Sequence, residues 1–211
     1  MASINFKFID SPKLSAKANM DFDKSLVENF DGTPIFRLYS WEKNSFTIGR
    51  FQKLEEIQNI SKYGTNYARR MTGGGLLLHG FDISYSIVIP TNILKNKSVK
   101  ESYEYICSFI INFYKKLDLD VEYAKNINKE LSKSFFCQEG FEAYDMICHG
   151  KKIGGNAQKR TKNLIFQHGS IPIKNDNREF SGHSLNEFGI NLSEKKAKEL
   201  LKQSFIESFT I

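Results

Sequence analysis

The sequence predicts a single α+β domain built on a mixed, largely antiparallel sheet that helices flank. Predicted strands follow one another along the chain in short runs joined by turns, an order typical of antiparallel pairing. Three predicted helices lie before, between and after these runs, which argues against a doubly wound parallel sheet. With 211 residues the chain has the length of one domain, and we expect that domain to span residues 1–211.

The first third of the chain predicts one helix and a pair of strands. Residues 15–30 carry apolar side chains at helical spacing, Ala16 and Met20 among them, and Asp31-Gly32 ends the helix. Residues 34–41 and 45–49 are rich in aromatic and β-branched residues, which favour strands. Because only three polar residues separate these two segments, we expect them to pair as a hairpin.

The middle of the chain predicts three more strands and a long helix. The strands are residues 66–71, 76–79 and 83–90, and glycine-containing turns separate them. The helix is residues 98–117, where apolar side chains recur at intervals of three and four and must face the sheet.

The last third predicts three strands and a final helix. Residues 144–148, 152–158 and 164–173 have strand-like patterns and are linked by short polar turns. Ser193 is placed to cap a helix whose apolar side chains form a single stripe.

The balance of charge suits an acidic partner or a phosphorylated ligand. Thirty Lys and Arg against 24 Asp and Glu give a formal net charge of +6. The excess is uneven, because residues 146–175 hold six Lys or Arg and no Asp or Glu. This segment is either a positively charged face or a solvated hairpin, since both have the same composition.

The sequence predicts no membrane span, because no run approaches the ~20 consecutive apolar residues that a bilayer requires. The leading residues lack the cationic flank and apolar core of a secretory signal, so we expect a cytoplasmic protein. Three scattered cysteines do not make a disulfide framework, and no His, Cys or Asp spacing is that of a zinc site. We therefore expect free thiols and no metal.

The stretch Arg69-Arg-Met-Thr-Gly-Gly-Gly75 is the first candidate for ligand binding. Three successive glycines let a backbone approach a ligand closely, and the arginines can bind a phosphate or carboxylate as a fork. It is not a Walker loop, since no Gly-Lys-Ser/Thr ends it, and it does not open a helix as a dinucleotide fingerprint does. A glycine-rich turn with solvated arginines is the alternative interpretation.

Residues 150–160 are the second candidate. Strand alternation places Lys152, Gly154 and Asn156 on one face, where a lysine above small residues leaves room for a ligand. An exposed basic edge strand is the alternative.

Cys137 is the cysteine that differs from the others. It lies in turn-like surroundings between two apolar stretches, whereas Cys107 and Cys148 fall in a predicted helix and strand and are expected to be buried thiols. His79 and His168, each followed by a glycine, are on their own typical of hydrogen-bonded structural histidines.

Together these segments resemble the lipoate and octanoate protein ligase and transferase family, whose catalytic domain is related to that of biotin protein ligases. The resemblance covers residues 19–173 and consists of seven motifs in the family's order: Asn19-Met20 with Asp23, Arg37-Leu-Tyr-Ser-Trp41, Thr47-Ile-Gly-Arg-Phe-Gln52, Arg69-Arg-Met-Thr-Gly-Gly-Gly75 with His79, Ser84-Tyr-Ser86, Gly150-Lys-Lys-Ile-Gly-Gly-Asn-Ala-Gln158 and His168-Gly-Ser170. It implies a biotin/lipoate protein ligase-like catalytic domain with an apolar tunnel for an eight-carbon acyl chain.

The resemblance also implies which residues act. In such proteins the lysine before an Ile-Gly-Gly-Asn-Ala-Gln run contacts the acyl carbonyl, which makes it Lys152 here. An ammonium group suits that position, because it stabilises an oxygen that becomes negative in acyl transfer. The implied substrate-binding residues are Arg70, Gly73, Gly74, Gly75, His79, Gly155, Asn156, His168, Gly169 and Ser170.

Two chemistries occur in this family. Lipoate ligases activate the free acid with ATP and Mg²⁺ as an acyl-adenylate, whereas octanoyltransferases form a cysteine thioester and need no cofactor. One transferase branch carries its cysteine ahead of the lysine strand, and Cys137, Tyr144-Asp145 and Lys152 are similar to that pattern, although Gln138 replaces an aromatic residue and a proline is missing. The 38 residues after Ile173 suit a single-domain transferase, and equally a ligase with a separate accessory polypeptide.

The favoured hypothesis is octanoyl transfer in protein lipoylation, with Cys137 and Lys152 as catalytic residues. Octanoyl acyl carrier protein is the expected donor, and a lipoyl domain or a glycine-cleavage H-type protein is the expected acceptor. Lys152 is expected to lower the pKa of the Cys137 thiol and to polarise the carbonyl. ATP-dependent lipoate ligation is the alternative, with Arg70 and the glycine run holding the adenylate phosphate. A basic module that binds nucleic acid is a distant third, since no nucleic-acid motif is present.

Overall fold

The computed structural model describes residues 4–127, 130–132, 134–179 and 182–209. In chain order its strands and α-helices are β1 (Lys7–Leu14), α1 (Ala16–Glu28), β2 (Ile35–Trp41), β3 (Ser45–Ile48), β4 (Asn66–Arg69), β5 (Leu77–His79), β6 (Asp82–Pro90), α2 (Val99–Lys115), β7 (Glu122–Tyr123), β8 (Met146–Cys148), β9 (Lys151–Arg160), β10 (Leu164–Pro172) and α3 (Glu194–Phe209).

The described strands form two sheets. The large sheet has the order β1-β2-β6-β10-β9-β8-β7, and the small sheet has the order β4-β3-β5. All neighbouring strands are antiparallel except β1 with β2 and β3 with β4. The predicted α+β class with a mixed, largely antiparallel sheet is therefore confirmed.

The hairpin predicted between residues 34–41 and 45–49 is wrong. Both segments are strands, but β2 pairs with β1 and β6, while β3 belongs to the small sheet. β1 occupies the edge of β2 that a hairpin partner would need. The sequence analysis missed β1, which contains Pro12 and shifts register between Asp10 and Lys13. A proline is tolerated in a strand at such a sheet edge or irregularity.

Helices α2 and α3 pack together over one face of the large sheet. α2 begins at a capping box, in which the Ser98 hydroxyl accepts from the Glu101 N–H at 3.2 Å and the Glu101 carboxylate accepts from the Ser98 N–H at 2.7 Å. Phe205 of α3 stacks on Phe36 of β2, with ring centroids 3.8 Å apart, inside the main core. Both predicted helices are confirmed. In the described part of the chain no helix has the length and apolarity to cross a membrane.

Helix α1 covers the opposite face of the large sheet, and its inner side is more polar than predicted. Ala16 and Met20 are buried as expected, but Asn19 and Asp23 are buried with them. Arg37 of β2 donates to Asp23 at 2.7 Å, and both side chains are almost completely inaccessible. Burial acts to raise the pKa of Asp23, but hydrogen bonds and the nearby positive charge hold that pKa below its ordinary value. This buried ion pair fixes α1 to the strand beneath the site.

Candidate active site

A cavity of about 730 Å³ lies where the glycine run before β5 faces β9 and β10. The structure brings all twelve residues of the predicted site to its wall: Arg70, Gly73, Gly74, Gly75, His79, Cys137, Lys152, Gly155, Asn156, His168, Gly169 and Ser170. These residues come from both sheets and from the loop before β8. The fold therefore assembles one site from motifs that are far apart in the sequence.

The glycine run is the place where the loop that carries Cys137 meets the small sheet. A Cβ atom added at Gly75 would lie 2.4 Å from the carbonyl oxygen of Phe135 and 2.8 Å from the backbone nitrogen of Cys137. The Leu76 N–H donates to the Phe135 oxygen at 2.8 Å, and the Cys137 N–H donates to the Leu76 oxygen at 2.7 Å. Only glycine at position 75 permits this approach, so the run seats the cysteine loop.

Adding a methyl group at Gly75 should therefore displace the cysteine loop. We expect Gly75→Ala to slow acylation of Cys137 by about tenfold or more, because misplacing reacting atoms by even 1 Å is costly. Gly73→Ala is the matched variant, since a Cβ there meets no atom within 4 Å. Acylation rates from single-turnover experiments check this, and equal losses in the two variants would contradict the assigned role of Gly75.

Arg70 is a clamp on the same run. Its Nη1 donates to the carbonyl and hydroxyl oxygens of Thr47 at 3.1 and 2.7 Å, and its Nη2 donates to the carbonyl oxygens of Gly73 and Gly75 at 3.3 and 2.6 Å. Burial lowers the pKa of Arg70 below its ordinary value. Both Nη atoms of Arg70 thus donate to protein oxygens. The sequence had suggested instead that this guanidinium is available to bind a phosphate or carboxylate.

His79 aligns the Thr47 hydroxyl that Arg70 uses. His79 Nδ1 lies 2.8 Å from an Asp82 carboxylate oxygen, and its Nε2 lies 2.9 Å from the Thr47 hydroxyl oxygen. Burial lowers the pKa of His79, although Asp82 acts to raise it. A neutral ring suits both contacts, since Nδ1–H then donates to Asp82 while Nε2 accepts from Thr47. Both ring nitrogens of His79 therefore have protein partners.

His168 supports the other end of the glycine-rich segment. Its Nε2 lies 2.6 Å from the hydroxyl oxygen of Thr72, and its Nδ1 lies 3.7 Å from a carboxylate oxygen of Asp23. Burial lowers the pKa of His168, while Asp23 acts to raise it. Two buried Asp and His pairs, each ending on a threonine, therefore hold the segment that contains Arg70.

The strand β10 allows groups on neighbouring strands to meet. A Cβ atom at Gly169 would lie 2.4 Å from the Asn156 side-chain oxygen and 2.6 Å from the Tyr85 ring. Tyr85 donates through its hydroxyl to Asn156, and the Ser170 hydroxyl donates to Asp82 at 2.6 Å. Asn156, Gly169 and Ser170 of the predicted site are therefore held in the cavity wall by contacts with neighbouring strands.

Lys152 ties β9 to the cysteine loop. Its ammonium lies 2.6 Å from a carboxylate oxygen of Asp145 and donates to the carbonyl oxygens of Cys137 and Gly140 at 2.6 and 2.8 Å. A lysine ammonium has three N–H donors, so these contacts use all of them. Burial raises the pKa of Asp145, and the charge of Lys152 acts to lower it. An acyl carbonyl would contact Lys152 by replacing one of these three oxygens.

An irregularity in β9 changes which residues share the face of Lys152. β8 residues pair with Lys152 and then with Gly154, so that Ile153 is an extra residue in the ladder. A Cβ at Gly154 would meet the Tyr114 hydroxyl of α2 at 3.0 Å, away from the cavity, whereas one at Gly155 would lie 3.5 Å from the Lys152 Cε atom. The prediction that Gly154 shares the face of Lys152 is wrong. Gly155 is the glycine that lies beside the Lys152 side chain.

The three cysteines have different environments. Cys107 and Cys148 are fully buried, as predicted. Burial raises the pKa of Cys107 to about 12 and also raises the pKa of Cys148. Cys137 is partly exposed and is the cysteine on the cavity wall. Of the three cysteines, Cys137 is therefore the candidate for contact with a ligand in the cavity.

Asp145 is a cavity residue that was named from the sequence only within the Tyr144-Asp145 pattern and was not included among the predicted site residues. A signal for it exists, because it is the last acid before the acid-free residues 146–175 and hence the carboxylate nearest before Lys152 in the chain. The Lys152 ammonium lies 2.6 Å from an Asp145 carboxylate oxygen, so Lys152 is not part of a positively charged face. Lys151 also has an acidic neighbour, since its ammonium lies 3.5 Å from a carboxylate oxygen of Glu187. No three His, Cys, Asp or Glu side chains of the described residues are grouped as metal ligands.

Comparison with protein families gives one match over most of the chain. The model described as the lipoyl protein ligase A/B catalytic domain matches residues 15–205. Curated relatives include octanoyltransferase LipM of Oceanobacillus iheyensis, 34% identical over 79% of this chain, and that of Anoxybacillus flavithermus, 32% identical over 95%. The matches span 63% and 74% of the lengths of these two relatives.

Solved structures with the same fold include lipoate-protein ligases. One is a lipoate-protein ligase A bound with ATP, with a TM-score of 0.76 and 20% identity over 99% of this chain and 85% of that one. Another is the T. acidophilum protein Ta0514 with bound lipoic acid, with a TM-score of 0.76 and 20% identity over 99% and 86% of the two chains. At this identity the likeness establishes the fold.

Proposed function

The chain belongs to the lipoyl protein ligase A/B catalytic domain family, and on that basis we propose that it is an octanoyltransferase of protein lipoylation. The observation that carries the proposal is the position of Cys137. Its loop is seated on Gly75 and tied to Lys152, and Cys137 itself lines a cavity of about 730 Å³. Relatives at 34% and 32% identity are octanoyltransferases by name, which supports the same chemistry.

The first half of the proposed reaction loads the enzyme. The Cys137 sulfur, as thiolate, attacks the carbonyl carbon of octanoyl acyl carrier protein. A new carbon–sulfur bond forms, the bond to the carrier sulfur breaks, and the carrier thiol leaves after taking up a proton. One thioester replaces another, so this step needs no ATP.

The second half delivers the group to the acceptor. The neutral side-chain amine of a lysine on a lipoyl domain or glycine-cleavage H-type protein attacks the Cys137 thioester. An amide forms, the carbon–sulfur bond breaks, and the proton lost by the amine returns to the sulfur. Because the donor has left before the acceptor arrives, one cavity serves two protein partners in turn.

The proposed roles of the cations follow from their contacts. Lys152 holds the cysteine loop through the carbonyl oxygens of Cys137 and Gly140, and its charge favours a negative carbonyl oxygen nearby. Arg70 fixes the glycine run on which the loop rests. Asp145 orients Lys152 through a contact of 2.6 Å. The other predicted residues on the cavity wall are proposed to bind the substrate.

Two alternatives are weaker. In an ATP-dependent ligase Arg70 would bind the adenylate phosphate, but both Nη atoms of Arg70 already donate to protein oxygens. A nucleic-acid-binding module would need the basic segment as a continuous face, and Lys152 is buried within it. We therefore propose a reaction that needs no cofactor. We also propose that the protein acts in the cytoplasm.

The energy source tests the proposal. With octanoyl acyl carrier protein and a lipoyl domain, in the presence of a chelator and without ATP, we expect the acceptor to gain one octanoyl group by intact mass. The control reaction replaces the donor with free octanoate, ATP and Mg²⁺, and should give no product. The reverse pattern would establish the ligase.

A further inference from the structure

Phe51 is an apolar side chain that the fold leaves in solvent. It is 81% exposed, whereas the next most exposed large apolar side chain of the described residues, Leu131, is 55% exposed. It lies in the turn of residues 49–52, which follows β3 and is closed by the Gln52 N–H donating to the Gly49 oxygen at 3.2 Å. We call residues 49–52 the mouth turn.

The mouth turn is firmly held, so the exposure of Phe51 is built into the fold. The Arg69 Nη1 donates to the carbonyl oxygens of Gly49, Arg50 and Gln52. The Gly49 N–H donates to the Gln52 side-chain oxygen at 3.0 Å. These hydrogen bonds restrict every residue around the ring and leave the ring itself without a packing partner in the core.

The turn stands at the rim of the cavity beside Cys137. A Cβ at Gly49 would lie 1.8 Å from the carbonyl oxygen of Gly74, so the turn rests directly on the glycine run. The Gln52 side chain lines the cavity and donates to the carbonyl oxygen of Phe135, two residues before Cys137, at 3.0 Å. The mouth turn, and Phe51 with it, is therefore adjacent to the loop that carries Cys137.

A positive charge lies beside the ring. The Arg50 guanidinium lies 5.5 Å from the Phe51 ring centroid. The Arg69 guanidinium donates its hydrogen bonds to backbone oxygens of the mouth turn. Neither arginine forms an ion pair with a carboxylate among the described residues, while Lys53 lies 3.8 Å from Glu56. Aromatic and arginine side chains together are typical of the residues that contribute most to binding at protein interfaces.

We infer that the mouth turn is the docking site for the acceptor protein. The acceptor surface that contacts it is an apolar patch bordered by acidic side chains. This inference rests on the proposed function. The acceptor lysine has a four-carbon side chain, so the acceptor surface must come close to the cavity rim for its amine to reach the thioester. The donor holds its acyl group on a long flexible prosthetic arm and can dock farther away. The acceptor is therefore the partner that must contact the mouth turn.

Binding and chemistry can be measured separately. Equilibrium titration of a recombinant lipoyl domain, with Cys137→Ser as background, reports docking without turnover. We expect Phe51→Ala to weaken this binding by about tenfold or more, and Val99→Ala, at an exposed apolar residue of α2, to change it by less than about twofold. Arg50→Glu should also weaken binding and should flatten its dependence on salt, whereas Lys24→Glu on α1 should do neither.

The second readout is acylation of Cys137 by octanoyl-coenzyme A, a small donor. Phe51→Ala should leave this rate unchanged, because Phe51 touches no reacting group. Equal acceptor affinity in Phe51→Ala and Val99→Ala would overturn the inference, as would an equal loss of octanoyl-coenzyme A acylation. If acylation from octanoyl acyl carrier protein falls as much as acceptor binding, the commitment to the acceptor is wrong. Absence of acylation in the unchanged protein would instead contradict the transferase, and the titrations would still test the docking site.

Discussion

Replacing Lys152 by methionine should lower octanoyl transfer by about a hundredfold or more, comparable with removal of an oxyanion donor. The ammonium is the group that joins β9 to the cysteine loop, through the carbonyl oxygens of Cys137 and Gly140. Lys152→Arg should not restore the rate, because a wide planar guanidinium does not fit a site shaped for a compact charge. Near-normal turnover in Lys152→Met would remove Lys152 from the mechanism, and near-normal turnover in Lys152→Arg would contradict the requirement for a compact charge.

The same substitution should destabilise the fold, for a reason that can be separated from catalysis. Lys152 and Asp145 are each about 2% exposed, and Lys152→Met leaves a buried carboxylate without its partner. Breaking such a pair costs roughly 3–5 kcal/mol. The double variant Lys152→Met with Asp145→Asn should recover most of this stability and none of the activity. Recovery of both would mean that Lys152 acts only through stability.

The pH dependence of stability provides a further check on this pair. Burial already raises the pKa of Asp145, and loss of the Lys152 charge should raise it further. A carboxyl group with a folded-state pKa above its unfolded value favours folding when protonated, so stability is lost as pH rises through the raised pKa. Chemical denaturation of Lys152→Met should thus give a lower free energy of unfolding at pH 7 than at pH 5, and the Asn double variant should remove that difference.

Local patterns explain which parts of the fold were predictable. Helix α2 was recognised because its apolar spacing is encoded within about twenty consecutive residues. The pairing of β2 was not, because the partner β1 carries Pro12 and has no alternating apolar face. A strand whose neighbours are distant in sequence gives no local sign of which sheet it enters.

The site shows the same division. All twelve predicted residues line the cavity. Each of them could be predicted because it belongs to a short motif that resembles the family's. Their contacts depend on tertiary structure: Arg70 meets Thr47 across 23 residues, and His168 meets Thr72 across 96. The shift from Gly154 to Gly155 comes from one extra residue in β9, which no alternation rule anticipates.

Cys137→Ser should abolish transfer, with a loss of about a thousandfold or more, because a serine hydroxyl is a far weaker nucleophile than a thiolate near neutral pH. Cys148→Ser is the matched variant, since Cys148 is fully buried and burial raises its pKa. It should retain most of the activity. Steady-state transfer to a lipoyl domain measures both, and comparable losses would indicate a structural effect in place of nucleophilic catalysis.

The most direct test of the thioester at Cys137 is peptide mapping of the loaded enzyme. The protein is incubated with octanoyl acyl carrier protein without ATP, quenched in acid and digested, and the modified peptide is sequenced by mass spectrometry. The account predicts one octanoyl group on Cys137, which hydroxylamine removes and which the lipoyl domain accepts at a rate equal to or faster than overall turnover. An octanoyl group on another residue, or an unmodified Cys137 in an enzyme that still transfers octanoate, would contradict it.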